Sequence, residues 1–471
     1  GTVTFKDGGN AMPCASSVAQ PLNASGVATC QPFGLMSPGT HTITADYSGD
    51  ANFAVSTGTL APDQVITNAP LVSFSAATYT VNEADGVVHV VINRTGDTAA
   101  QFNVDYATSD TGASSNCGAL NTGLASAKCD YITFIGTLKF AANQTSAALD
   151  IPITQDSYTE GAESFTVNLS NVTNGAMLGS PSSATVTIND SASPTANAID
   201  DNTIFVRQQY HDFLNREPDA AGLAYWVNGL NECNNAATRP PGQTQAQCLE
   251  TRRILTSSAF FLSIEFMQTG TFVRSFYVAA LNRPLPPSAN ATDNMPGFAE
   301  WLRDTQAVQR GVVVGQGSWQ ATLDANRLAF MQDFVTRAEF VGLYPTTDTP
   351  TQYLNKLYQH ALSRSPSTAE LNAGLALFGA ASTANDPTAR GQALLQVTQA
   401  SDFISRELPR AFVQMEYFGY LRRNPNDPPD NDFSGYNFWL NKLNAFNGDF
   451  FAAEMVKAFI SSAEYRRRFG P

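Results

Sequence analysis

The 471-residue sequence predicts a multidomain β + α protein: two β-sandwiches at residues 1–69 and 70–192, followed by an all-α helical repeat domain at 193–471. Three observations predict it. Side chains alternate with period two from Val3 to Ile188, then give way to helical spacing shortly after Asp190. A frame of aromatic, Tyr, Leu, Arg and Pro begins at Phe205 and returns three more times. The 6 cysteines fall into neighbouring pairs, one in each predicted unit.

In the first unit Val3 and Phe5 alternate ahead of the turn Asp7-Gly8-Gly9, and Ile43, Ala45 and Tyr47 alternate with Thr42, Thr44 and Asp46. Ala61-Pro62-Asp63 and Asn68-Ala69-Pro70 mark a linker. The second unit carries alternating runs at Val72/Phe74, Val87 to Ile92, Phe102/Val104/Tyr106, Leu138/Phe140, Leu149/Ile151/Ile153, Phe165/Val167/Leu169 and Thr185 to Ile188. Short strands at such spacing predict a sandwich.

In the helical part, Phe205, Tyr210, Leu214, Arg216 and Pro218 share their spacing with Phe412, Tyr417, Leu421, Arg423 and Pro425. Tyr353, Tyr358, Leu362, Arg364 and Pro366 repeat it, and Phe272, Tyr277, Leu281 and Arg283 form a looser copy with Pro284 one place early. The copies span about 200–268, 269–345, 346–406 and 407–471, closing on Ala259/Phe261, Ala338/Phe340, Ala400/Phe403 and Ala463/Tyr465. Asp200 and Asp201, Asp219 and Ser434 are expected helix N-caps. The recurrent arginines are expected to cap helix C-terminal carbonyls, and Arg466-Arg467-Arg468 to end a helix where positive charge is favourable. Trp226, Trp301 and Trp439 read as core, and Trp319 as exposed. Arrays of this period are scaffolds more often than catalysts.

Hydrophobic residues make up 43% and charged residues 14%, and the net charge is -14. That balance argues against nucleic acid or anionic lipid as partners. No apolar run is long enough to span a bilayer. Local pairing predicts disulfides Cys14–Cys30, Cys117–Cys129 and Cys233–Cys248, each closing a short loop. Disulfides imply an oxidising compartment, hence a secreted, extracellular protein. No HExxH, GxSxG or phosphate-binding loop occurs. His41, His89, His211 and His360 share no motif and read as surface or strand residues. The sequence names no reaction, and the protein is expected not to be an enzyme.

The run Gly39–Phe53 (GTHTITADYSGDANF), with GTVTFKDGG at the start, resembles bacterial immunoglobulin-like (Ig-like) repeats of surface proteins. The resemblance implies two further strands ahead of GTVTF. The edge of Thr2–Phe5 is therefore expected to be open, to be filled by strand addition from a neighbouring subunit, giving a homo-polymer; the alternative is that the missing strands belong to a longer precursor. One expected donor is the strand near Gln64–Thr67.

Residues 70–192 resemble the Calx-beta domain. The matching frame is Phe74, Tyr79-x-Val81-x-Glu83, Arg94-x-Gly96, Asp105-x-x-Thr108-x-Asp110, Asp130-Tyr131, Gly136-x-Leu138-x-Phe140, Glu160-x-x-Glu163-x-Phe165 and Thr187-Ile188-Asn189-Asp190. The resemblance implies calcium (Ca2+) at Glu83, Asp110, Asp156, Glu160, Glu163 and Asp190. The acidic runs are thinned to Gln155-Asp156-Ser157 and Asn189-Asp190-Ser191, which implies one weak structural ion. The alternative is a set of solvated loop carboxylates.

The Y-x3-L-x-R-x-P-D-x2-G-x2-Y-W frame from Tyr210 resembles a bacterial family of unknown function, recurrent in secreted and surface proteins and distantly similar to phycobilisome-linker helices. Together these readings predict a secreted, non-enzymatic structural protein of the bacterial cell surface, the subunit of a filament or surface layer. The alternative is a monomeric adhesin whose helical head binds glycan.

Overall fold

The computed structural model describes all residues except 16, 33–35, 67, 114, 115, 119–121, 192–195 and 282–294. Arg283 and Pro284 of the looser repeat therefore lie outside the described residues, as does Thr67.

Strands β1 (Thr2–Asp7), β2 (Asn10–Ala11), β3 (Ala19–Pro21), β4 (Gly39–His41), β5 (Ile43–Tyr47), β6 (Ser56–Thr59) and β7 (Gln64–Ile66) build the first region. One sheet runs β2-β1-β5-β6, with β3 also on β1; β4 and β7 form a separate ribbon. The expected open edge at Thr2–Phe5 is corrected here. On one side β1 pairs β5, Val3 facing Tyr47 and Phe5 facing Ala45. On the other it pairs β3, Val3 facing Gln20, and β2, Lys6 facing Ala11. The hairpin turn at Gly8 and Gly9 returns the chain onto β1, so its backbone groups are met from within the chain. The expected donor strand is likewise engaged, β7 pairing β4. What stays uncovered is a face rather than an edge. Val3, Phe5, Ile43, Ala45 and Tyr47 are all half-buried, and only Met12, Cys14 and Gln20 are buried among the described residues of 1–66.

Strands β8 (Leu71–Phe74), β9 (Thr78–Asn82), β10 (Val87–Thr95), β11 (Phe102–Ser109), β12 (Ile135–Phe140), β13 (Ser146–Pro152), β14 (Glu163–Ser170), β15 (Met177–Leu178) and β16 (Ser183–Asn189) follow. They form two sheets, β13-β10-β8-β15 and β12-β11-β14-β16-β9. The alternating residues meet between the sheets: Val72, Val90, Ile92, Val104, Phe140, Ile151, Val167 and Val186 are 0–2% exposed. Non-polar burial on this scale is the main force holding the sandwich.

Helices occupy the rest of the chain. Asp201 caps the first, Asn202–Gln209, accepting from the Thr203 and Ile204 amides, and Asp219 caps Ala220–Asn231. Ser434 is the first residue of its helix rather than the cap, and its amide donates to Asp432. Just before Arg216, Arg364 and Arg423 one residue turns left-handed: Asn215 (φ 50°), Ser363 (φ 54°) and Arg422 (φ 53°). A left-handed residue ends the helix and redirects the chain.

The arginines that follow do not cap helix ends. Arg216 Nε and Nη2 donate to the two Glu265 oxygens at 2.8 and 2.9 Å, and Arg423 donates to Glu464 at 2.8 and 3.0 Å. Arg364 likewise meets Asp402 at 2.7 and 3.3 Å. Each guanidinium lies 5.0–5.3 Å from the tyrosine ring of its own frame, Tyr210, Tyr358 or Tyr417. A fork of two parallel donors over an aromatic face is suited to arginine, not lysine. Glu265 also shows that the first copy closes on Glu265-Phe266, not on Ala259/Phe261.

The frame's ends meet. Phe213 packs edge-on to Tyr420 at 5.2 Å, and Gly419 leaves no room for a Cβ against that Phe213 ring. Arg274 of the looser copy reaches Glu407 and Gln414 at the start of the last copy. Trp301 is fully buried, Trp226 and Trp439 pack on the core, and Trp319, expected exposed, is half-buried against it. His211, expected at the surface, is 1% exposed and bonded to Glu217. The disulfides Cys14–Cys30, Cys117–Cys129 and Cys233–Cys248 form with Cα separations of 5.2, 5.4 and 5.6 Å.

Candidate metal centre

At one end of the sandwich, strand ends deliver carboxylates to a common point. The parallel pairing of β16 with β9 puts Asn189 beside Asn82, so Asp190 and Glu83, the next residues, emerge together. Glu163 opens β14 opposite Ile188. Asp156 and Glu160 lie in the connection from β13 to β14, and Asp130 follows Cys129 in the connection from β11 to β12.

Ligand oxygens of Asp130, Glu160 and Glu163 lie within 4.8 Å of one another. Glu83, Asp130, Asp156, Glu160 and Glu163 are each 3–8% exposed. Hydrogen bonds aim these groups without neutralising them. Asp130 accepts from the Ser126 amide at 2.6 Å, Asp156 from the Tyr158 amide at 2.7 Å, and Glu83 from the Ser191 amide at 3.2 Å. Asp190 accepts from the Glu160 and Gly161 amides at 2.9 and 3.2 Å, which fixes the loop carrying Glu160. Asp130 Oδ1 and Asp156 Oδ2 are buried and meet no hydrogen-bond donor among the described residues.

Burial pushes the most enclosed of these carboxyls up, with the neighbouring carboxylates adding to it: Glu83 to about 7, Glu160 to about 8 and Asp156 to about 9. Asp130 and Glu163 rise for the same leading reason, burial. The charged groups acting on Glu83, Asp130, Asp156 and Glu160 are all acidic. Buried like charges at this spacing repel strongly, and a cation in their midst removes the penalty. An all-oxygen, carboxylate-rich set fits a hard divalent cation such as calcium, and it lacks the sulfur or imidazole that zinc favours.

The expected residues separate. Glu83, Asp156, Glu160 and Glu163 converge, and Asp190 stands beside them. Asp110 does not join them. Its Oδ2 accepts from the Ala127 amide at 2.9 Å, and it lines a cleft of about 450 Å³ with Lys128, Arg422 and Arg423. Asp130, absent from the expected residues, joins the cluster, although the Asp130-Tyr131 pair carried part of the sequence frame.

The site end of this sandwich coincides with a family match. Residues 66–192 match the Calx-beta domain. Residues 1–67 match the bacterial Ig-like domain (group 3), and residues 187–239 match a domain of unknown function (DUF4214). No curated protein matches the chain. Among solved structures, the apo-form Calx CBD1 domain is 29% identical over 26% of this chain and 98% of its own, with a TM-score of 0.23. The calcium binding domain CBD12 of CALX1.1 is 29% identical over 25% of this chain and 45% of its own, with a TM-score of 0.22. A two-domain protein of unknown function from Bacteroides fragilis is 10% identical over 26% of this chain and 46% of its own, with a TM-score of 0.19. The matched Calx-beta and Ig-like domains are binding or structural domains, and no enzyme family matches. Among the described residues no helix is long and apolar enough to cross a membrane.

Proposed function

We propose that this chain is a secreted, non-enzymatic structural protein of the bacterial cell surface whose Calx-beta segment is braced by one calcium ion. The observation that carries the calcium reading is the cluster of five buried carboxylates, Glu83, Asp130, Asp156, Glu160 and Glu163, with no salt bridge to a basic residue among the described residues. The Calx-beta match supports it. The three disulfides support an oxidising, extracellular home. Calcium at a hundred times its Kd adds about 2.7 kcal/mol to stability, so the melting temperature of the full chain should rise on adding calcium and fall in chelator. Asp130→Asn should remove most of that difference. A melting curve indifferent to calcium sinks the reading.

Assembly into a filament or surface layer is the finer half of the proposal. With β1 paired on both sides, its support is the uncovered face of Val3, Phe5, Ile43 and Tyr47. A second copy of the chain laid on that face would complete the layer a single sheet lacks. The adhesin reading draws on two outward aromatics at equivalent places in the first and last copies, Tyr225 (71% exposed) and Phe438 (57%). Exposed rings of that kind suit stacking on a sugar, and a glycan array in which every sugar fails to bind would remove it.

A further inference from the structure

The loops that carry the acid cluster are also the loops that grip the helical region. The turn after Glu83 offers its Ala84 carbonyl to Arg207 at 3.2 Å. Gly86 (φ 77°), which ends that turn, lies so close to Glu217 that a Cβ would collide with its carboxylate. Two residues before Asp130, the Lys128 carbonyl accepts from Arg468 Nε at 3.0 Å, and Lys128 Nζ reaches Glu464 at 3.4 Å. Arg468 is fully buried and passes the contact inward, pairing with Asp212 at 3.1 Å and donating to the Tyr420 carbonyl at 2.8 Å. Next to Asp156, the Ser157 amide and hydroxyl both donate to the Phe469 carbonyl, at 3.1 and 2.9 Å. Tyr158, whose amide is held by Asp156, donates its hydroxyl to the Arg467 carbonyl at 3.1 Å. Beyond Asp190, Asn197 donates to the Arg466 and Gly470 carbonyls at 3.0 and 2.9 Å.

Away from the acid end a second anchor joins the same two units. Gln306 bridges the Ile135 amide and the Thr133 carbonyl at 2.9 and 2.6 Å, and Arg310 donates to the Thr137 carbonyl at 2.7 Å and to the Tyr106 hydroxyl. That anchor touches no member of the acid cluster.

We propose that the cluster is the lock of this joint: a divalent cation held by Glu83, Asp130, Asp156, Glu160 and Glu163 fixes three loops, and Ser157, Tyr158 and Lys128 transmit that order to Arg466–Gly470. The proposal rests on the calcium reading. Without the cation, repulsion among the carboxylates loosens the loops, the segment around Phe469 detaches from Ser157, and the Gln306–Arg310 anchor stays in place. Tyr158 and Ser157 are positioning residues; neither side chain is placed among the ligands.

The test is hydrogen exchange on the full chain in calcium chloride and in chelator, with calcium binding measured by calorimetry on the same samples. Calcium should slow exchange of the amides of 466–470 and 126–131 by at least about tenfold and leave 135–140 and 306–310 unchanged. Tyr158→Phe removes one hydroxyl and Ser157→Ala another. The double variant should keep calcium affinity within about threefold of the parent while losing most of the protection at 466–470. Calcium binding without any change at 466–470 overturns the lock and leaves the calcium reading standing. Failure of the parent chain to bind calcium overturns both. Equal protection in the double variant and the parent overturns the assigned route through Ser157 and Tyr158.

Discussion

The first sheet and the Calx-beta sandwich are written in the same alternating pattern, yet they bury very different amounts. In the sandwich, alternate residues of β10 and β11 vanish between two sheets, with Ile92, Val90 and Val104 at 0% exposure. In the first sheet the corresponding residues of β1 and β5 stop at half-burial. It is held instead by its ladder, by the Cys14–Cys30 bridge and by polar pairs at its surface such as Lys6 with Asp46 and Tyr47 with Asp50. Period two tells which side of a strand is apolar. Whether that side closes depends on a second layer, and no local pattern encodes one.

The sharpest way to break this comparison is to make the uncovered face repel a partner. Phe5→Asp should abolish assembly seen by electron microscopy of native material and leave a folded monomer. Monodisperse parent protein under all conditions would mean that the face meets no second copy. A smaller effect separates the two regions energetically. Ile92→Ala should cost about 2–5 kcal/mol in urea unfolding, as expected for a fully buried aliphatic side chain. Phe5→Ala should cost about 1 kcal/mol, in line with partial burial. Equal costs would show that the first sheet hides a core after all.

The smallest effect is acid sensitivity. The Tyr47 hydroxyl and the Asn52 and Phe53 amides hold the Asp50 carboxyl down at about 2, against 3.8 for an ordinary aspartate. A carboxyl lowered in the folded state contributes stability that is present above pH 3.8 and is lost as pH falls toward 2. Asp50 is solvent-exposed, so the effect should be local and weak. Exchange at Asn52 and Phe53 should quicken across that window more than at Val90, once intrinsic rates are subtracted. Identical behaviour would mean that the polar pairs contribute nothing.

Much of this was legible in the chain. The switch from β to helix, the local disulfides and the strand positions follow from periodicity and proximity. The acid cluster was legible through the frame carrying Glu83, Glu160 and Glu163, because strand ends at those positions converge whenever the sandwich forms. Asp130 escaped because it sits in an insertion after Cys129, whose folding back depends on the disulfide and on the Ser126 turn. Asp110 misled because a carboxylate at a strand end can face either way, and the Ala127 amide claims this one. The arginine forks escaped for a different reason. Arg216 and Glu265 are 49 residues apart, and Arg423 and Glu464 are 41, so helical spacing cannot link them. The available signal was an acid two residues after a serine and just before an aromatic, at Ser263-x-Glu265-Phe266 and Ser462-x-Glu464-Tyr465.

The contact of Phe213 with Tyr420, backed by Asp212 with Arg468 and Gln209 with Tyr465, joins the first copy of the helical frame to the last. The second copy lies against the last as well, Arg274 meeting Glu407 and Trp301 standing 5.1 Å from Phe418. Open solenoids lengthen by duplication and fray from either end, since each unit leans only on its neighbours. Here the last copy leans on the first and the second at once, so an extra copy laid ahead of it would have to part Phe213 from Tyr420 and Arg274 from Glu407 before it found a place.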